Sequence, residues 1–187
     1  MLEIHGKREC PFAWRVRLVA REKGAPFEWV PYDVSSPDAR AGQHNPERRS
    51  PLLWDAGFTL PESIVIAEYL DETCPGRALL PTAARTRAEA RLLLAAIVPK
   101  LEAVPTRGAE EDEGLARARA GHAALDAALS DGRPWLGGDL PLLPDLMIWP
   151  FLALQEEGGA AVPAELSSAA AYWRRAREHP SLTASRP

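Results

Sequence analysis

The residues best placed to do chemistry are Cys10 and its surroundings, Glu9-Cys10-Pro11-Phe12-Ala13-Trp14-Arg15-Val16-Arg17-Leu18. Here a short apolar strand gives way to a helix. Pro11 suits the first helical position, because its missing N–H has no intrahelical partner there and its φ is already helical. Cys10 is thereby placed at the positive end of a helix, beside unpaired backbone N–H groups that favour a thiolate over a thiol. The sulfur is predicted to act as a nucleophile near neutral pH, with Arg15 and Arg17 adding to the positive field. A lone free cysteine is ordinarily a small buried hydrophobe; the Cys-Pro pair at a strand-to-helix junction sets this one apart. Cys74, at the far end of a later helix, reads as structural or incidental.

The elements that must position Cys10 follow from the hydrophobic pattern. Residues 2–5 form a short strand, and 12–23 a helix with Phe12, Val16, Val19 and Ala20 on one face and Arg15, Arg21 and Glu22 on the other. Gly24 is a natural helix stop. Residues 27–32 alternate in part and suggest a second strand parallel to the first. A short irregular helix is predicted over 36–46, then a hairpin from 51–54, a turn at Asp55-Ala56-Gly57 and 58–60. A helix over 62–73 stops at Pro75-Gly76. The order is βαβαββα, a small α/β unit with a mixed sheet.

Beyond Leu80-Pro81 no strand pattern is convincing, and Ala, Leu, Arg and Glu dominate, all good helix formers. Helices are predicted over 86–104, interrupted or kinked at Pro99, over a stripe of Leu115, Ala118, His122, Leu125 and Leu129, over 143–156 and over 163–179. His122 falls on the apolar stripe and is predicted to be a hydrogen-bonded core histidine. Residues 135–139 read as a tight loop. The domains are therefore 1–76, α/β, and 77–187, an all-α helical bundle.

Composition narrows the function. The chain has 187 residues, a net charge of −4 and interspersed charges. It has no concentrated basic face for nucleic acid and no apolar run long enough to span a bilayer. The first residues lead straight into a strand pattern, without the layout of a signal peptide. Two cysteines are too few for a disulfide framework. A reducing cytoplasm and no metal are expected.

Taken in order, these residues resemble the cytosolic glutathione transferase family, most closely its omega class. Cys10-Pro11-Phe12-Ala13 is similar to the omega Cys-Pro-Phe-Ala motif. Asn45-Pro46 and Arg49-Ser50-Pro51-Leu52-Leu53 resemble the segment leading into the family's cis-proline strand. Pro61-Glu62-Ser63 resembles its Glu-Ser glutathione motif, and Asp145-Leu146-Met147-Ile148-Trp149-Pro150 a stretch of the omega bundle. The resemblance implies a thioredoxin-like first domain, glutathione as co-substrate, a small electrophilic or disulfide second substrate, and a homodimer.

It also implies roles. Cys10 is the catalytic residue. Phe12, Ser50, Pro51, Glu62 and Ser63 bind glutathione. The Pro51 bond is cis, Ser50 offers backbone groups to the cysteinyl portion, and Ser63 with the helix N–H groups holds the γ-glutamyl carboxylate. Glu62 receives the ammonium. Glu62 and Ser63 equally suit plain helix capping. The omega-class lysine for the glycyl end is missing, with Arg40, His44 and Arg49 as candidate substitutes. Leu142 stands where the helix of Asp145 usually has a Ser or Thr cap, so Asp145 reads as a folding residue. Trp14, Trp149 and parts of the helix over 86–104 are candidate walls for the second substrate, with the core as the commoner place for an aromatic at helical spacing. The activity implied is glutathione-dependent thiol transfer through a mixed disulfide. The alternatives are conventional conjugation of glutathione to electrophiles, or a non-catalytic binding protein of the same fold.

Overall fold

The protein is described here by a computed structural model covering residues 1–31, 49–102 and 111–186. The helix expected over 36–46, together with Arg40 and His44, lies outside the described residues. Two compact units are present: Met1–Ala78 with Ala184–Pro187, and Leu79–Thr183.

The first unit contains β1 (Leu2–Gly6), α1 (Pro11–Glu22), β2 (Phe27–Pro31), β3 (Leu52–Asp55), β4 (Phe58–Pro61) and α2 (Ser63–Thr73). The sheet is four-stranded, in the order β2-β1-β3-β4. β1 pairs parallel with β2, Ile4 opposite Trp29, and antiparallel with β3, Ile4 opposite Leu53. β3 and β4 form the predicted hairpin. Its two loop residues, Ala56 and Gly57, both have positive φ, 47° and 97°, as a turn matched to the strand twist requires. This is the mixed sheet of a thioredoxin-like domain. Ile4 and Leu53, on one face of the sheet, and Leu52, on the other, are buried, and Ile66, Ala67 and Leu70 of α2 pack with α1.

The first helix departs from the expected pattern. Every residue from Ala13 to Ala20 is buried, including Arg15 and Arg17. A helix covered on all sides has no wet face, so the two arginines find their partners inside the unit. Lys23, at the end of α1, is buried too and donates from Nζ to Asp71 Oδ1 at 3.0 Å and to the Arg77 carbonyl at 2.9 Å. Removing either charge would take from the other its buried counter-charge. Gly76, at φ +104°, brings its backbone so close to Lys23 that a Cβ would meet the Lys23 oxygen at 2.9 Å.

The second unit is helical: α3 (Ala84–Leu101), α4 (Glu111–Ala128), α5 (Leu143–Glu157), α6 (Ser167–Arg177) and the first residues of α7 (Pro180–Ser185). α3 runs on through Pro99. The single helix expected over 163–179 begins later, because Asp126 Oδ1 accepts from Ser168 N and Ala169 N at 2.9 and 3.0 Å and fixes the start of α6. His122 is fully buried, its Nε2 2.9 Å from Gln155 Oε1, whose amide in turn donates to Leu101 O at 2.8 Å. It is a core histidine. Trp149 does not line a pocket either: it is fully buried, donates from Nε1 to the Tyr172 hydroxyl at 2.9 Å, and packs against the rings of Trp135 and His179. Among the described residues no helix is long and apolar enough to cross a membrane.

Candidate active site

Cys10 is the N-cap of α1, with Pro11 in the first helical turn and an extended backbone at φ −68°, ψ 120°. The first intrahelical bond runs from Trp14 N to Cys10 O at 2.8 Å. The N–H groups of Phe12 and Ala13 therefore have no acceptor within the helix. Cys10 is half-buried, and its Sγ lies 3.6 Å from the Ser50 carbonyl oxygen.

Ser50 is brought there by tight packing at the end of β1. A Cβ on Gly6 would meet Ser50 Oγ at 2.8 Å, Ala13 Cβ at 3.0 Å and the Trp29 ring at 3.1 Å. Only a glycine lets the strand end, the helix start and the Ser50 turn converge so closely. Lys7 N donates to Ser50 Oγ at 3.1 Å, and the Ser50–Pro51 peptide bond is cis.

Phe12, Arg49, Ser50, Pro51, Glu62 and Ser63 surround a pocket of about 260 Å³. All five residues that the resemblance assigns to ligand binding are thus brought together. Cys10 adjoins this wall through its contact with Ser50. Of the three candidate cations, Arg49 is the one seen at the pocket; its Nη1 is 2.7 Å from Glu62 Oε1, with both side chains exposed.

The far wall is the start of α2. Glu62, its N-cap, has φ 70° and ψ 106° and makes no side-chain capping bond. Such a backbone is costly for any residue with a Cβ. The first helical bond is from Ile66 N to Glu62 O at 2.9 Å, which leaves the N–H groups of Ser63, Ile64 and Val65 without intrahelical acceptors. Ser63 is 4% exposed. Its Oγ accepts two bonds from Arg15, from Nε at 2.9 Å and from Nη2 at 2.6 Å. The Arg15 guanidinium also lies over the Phe12 ring, 4.9 Å from its centroid. Helical periodicity alone puts Arg15 on an outward face. One signal points the other way: it stands three residues beyond Phe12, close enough on a helix to share its side.

Arg17 sits on the other flank of Cys10. Its guanidinium stacks 4.5 Å from the Trp29 centroid and donates to Arg8 O at 3.0 Å. Burial, and then the charges of Arg8 and Arg21, push its pKa down to about 10, while Cys10 and Glu9 pull the other way. Trp14 turns inward and donates from Nε1 to Ser185 Oγ at 2.9 Å in a buried contact, so it belongs to the core of the first unit.

Comparison with known proteins bears on this geometry. The family model described as "Glutathione S-transferase, N-terminal domain" matches residues 9–73. Glutathione S-transferase omega-1 of Mus musculus is 28% identical over 156 residues, 80% of this chain and 65% of that protein. A protein of Oryza sativa subsp. japonica named "Probable glutathione S-transferase GSTU6" is 30% identical over 167 residues, 81% of this chain and 71% of that one. The chain thus spans about two thirds of the length of these curated relatives. The solved structure of rice GST1 in complex with glutathione has a TM-score of 0.82 at 27% identity, covering 100% of this chain and 90% of that one.

Proposed function

The chain belongs to the glutathione S-transferase family, and from that premise we propose that it is a glutathione-dependent thiol transferase of omega type, with Cys10 as nucleophile. The observation that carries this reading is the half-buried Cys10 sulfur at the N-cap of α1, 3.6 Å from the Ser50 carbonyl on the pocket wall. Conjugation to electrophiles is better served by a hydroxyl that keeps glutathione's own thiolate free; a cysteine captures it as a disulfide.

The Cys10 thiolate attacks the glutathionyl sulfur of a mixed disulfide. A Cys10–glutathione S–S bond forms, the original S–S bond breaks, and the substrate thiolate leaves and takes a proton from solvent. A second glutathione thiolate then attacks the enzyme-bound disulfide, releasing oxidised glutathione and the Cys10 thiolate. That second molecule is required because Ala13 stands where dithiol enzymes of this fold carry a second cysteine, and α1 has no other. In the pocket, backbone groups at Ser50 pair with the cysteinyl portion of the ligand like an added strand. Ser63 and the open N–H groups of α2 receive the γ-glutamyl carboxylate. Glu62 takes the ammonium, for which it exchanges part of its pairing with Arg49. Small disulfides, glutathionyl conjugates and dehydroascorbate fit as second substrates, and the working form is a cytoplasmic homodimer.

Intact-mass analysis after incubation with oxidised glutathione tests the proposal. Wild type and Cys74→Ser should each gain one glutathionyl group at Cys10, and Cys10→Ser should gain none there and lose reduction of hydroxyethyl disulfide. An unmodified Cys10 in wild type, or a Cys10→Ser variant working at the wild-type rate, overturns it.

A further inference from the structure

We propose that Arg17 is a positioning residue for the reaction at Cys10: it braces the turn that carries the cysteine and keeps a positive charge behind it, which makes the Cys10–glutathione disulfide easy to reduce. The inference rests on the reading of Cys10 as the nucleophile, and it adds a residue outside the pocket wall.

Helix geometry brings the two residues together. Cys10 caps α1 and Arg17 follows seven residues later, so both fall on one stripe, two turns apart. Side chains on a helix lean toward its N-terminus, and Arg17 runs all the way back. Its Nη2 donates at 3.0 Å to the Arg8 carbonyl, nine residues earlier. That carbonyl lies in the turn closed by Cys10 N donating to Lys7 O at 3.2 Å, and Lys7 N donates to Ser50 Oγ at 3.1 Å. The turn is thus held by Ser50 on one side and by Arg17 on the other. Stacking at 4.5 Å on Trp29, whose ring lies beside Gly6 at the end of β1, fixes the guanidinium plane.

The charge is the second half of the argument. Arg17 is 7% exposed, its Nη1 is buried without a hydrogen-bond partner, and among the described residues no carboxylate bonds to it. Trp29 Nε1 is likewise buried and unpartnered, so this corner offers donors and no acceptor. The other charges around Cys10 are engaged elsewhere or exposed: Arg15 bonds Ser63, Arg49 pairs with Glu62, and Lys7, Arg8 and Glu9 face solvent. Against burial, Arg8 and Arg21, which push the Arg17 pKa down to about 10, Cys10 and Glu9 pull it up. Such coupling is reciprocal, so the guanidinium favours an anion at the sulfur. In the mixed disulfide that sulfur is neutral and the cation has no counter-charge. When a glutathione thiolate attacks the glutathionyl sulfur, the S–S bond of oxidised glutathione forms. The bond to Cys10 breaks, and its electron pair returns to Cys10 as the thiolate. The anion reappears in the field of Arg17 as the adduct is released, which favours release over accumulation.

The test places the Cys74→Ser protein, with Arg17 intact or changed by Arg17→Gln or Arg17→Lys, in neutral buffers of fixed oxidised-to-reduced glutathione ratio. The Cys10 adduct is read by intact mass. Glutamine can still donate to the Arg8 carbonyl but carries no charge; lysine carries the charge. The ratio that half-fills Cys10 should fall about tenfold in Arg17→Gln, and release of the adduct by glutathione should slow with it. Arg17→Lys should stay within about twofold of the parent. A half-filling ratio that Arg17→Gln leaves unchanged, even with a loss of stability in urea, reduces Arg17 to a structural role and overturns the proposal. So does a shift in Arg17→Lys as large as that in Arg17→Gln. Where a variant does not fold, salt decides on the parent protein. A buried charge is little screened, so the half-filling ratio, taken relative to a cysteine peptide in the same buffers, should be the same at about 0.05 and 1 M KCl. A ratio that approaches the peptide's in high salt assigns the effect to the exposed Lys7 and Arg8 and overturns the proposal. An adduct whose ratio ignores Arg17 sinks this inference alone. A parent protein with no adduct at Cys10 in any buffer sinks the reading beneath it.

Discussion

At the start of α5, Asp145 is fully buried and its carboxylate accepts from the N–H groups of Leu136, Gly137 and Leu142 at 2.7, 3.0 and 2.8 Å. At the start of α2, Glu62 is exposed, makes no cap and holds a strained backbone, and three N–H groups stay open beside a pocket. Both helices begin with an acidic residue near the first turn, where the helix dipole favours one. In α5 the acid turns inward and organises the loop over 135–142, completing the protein's own bonding. Leu142, with no acceptor, leaves only this acidic half of a capping box. In α2 the bonding is left incomplete where an outside molecule can supply the missing acceptor. The difference separates a helix start that completes its own bonding from one that leaves it open.

The largest effect expected from breaking this contrast is in Asp145→Ala. Three buried N–H donors lose their acceptor, and stability should fall by roughly 3 kcal/mol or more, read as the shift in urea midpoint multiplied by the slope. A loss below about 1 kcal/mol would show that water replaces the carboxylate and that the two helix starts differ less than their geometry suggests. Glu62→Gly should do the reverse. Glycine tolerates φ 70°, so stability should rise by about 1 kcal/mol. Glutathione, deprived of the ammonium's partner, should bind several-fold more weakly in calorimetry. A variant less stable than wild type would remove strain from the account of α2.

The smallest effect concerns an unsatisfied group in the second unit. His122 Nδ1 is buried and has no hydrogen-bond partner among the described residues. Burial first of all holds this imidazole below its usual 6.5, with the Gln155 bond opposing. A base with a lowered folded value stabilises fully above 6.5, and the contribution is lost as the pH falls through the folded value. The stability gap between wild type and His122→Leu should therefore narrow between pH 7.5 and pH 5, by an amount on the order of 1 kcal/mol. A gap that widens on acidification would mean that the protonated ring finds a partner in the core. Asp145 carries the opposite sign: burial pushes its pKa up to about 6 against its three backbone donors and the Tyr172 hydroxyl.

Much of this was legible in the sequence, because the signals were local. Cys10-Pro11 marked a helix start and Ala56-Gly57 a hairpin turn, each from the residues immediately around it, while the folding role of Asp145 came through the resemblance, from Leu142 at the usual cap position. What escaped depends on what covers an element. Periodicity assumes that a helix has a wet side, and α1 has none between Ala13 and Ala20. Arg15 was therefore placed on an outward face that does not exist at its position, and its bond to Ser63, 48 residues away, was invisible. Of the two readings open for Trp14 and Trp149, core and pocket wall, the structure takes the core: their indole N–H groups have buried partners, Ser185 and Tyr172. The backbone strain at Glu62 has no compositional mark at all, since nothing about a glutamate announces a positive φ.

The bond from Trp14 to Ser185 joins residues 171 positions apart. Trp14 lies one turn from Cys10, yet the hydroxyl that satisfies its indole belongs to a segment made long after it. During synthesis, the helix that starts at Cys10 waits with a donor unanswered until residue 185 has left the ribosome.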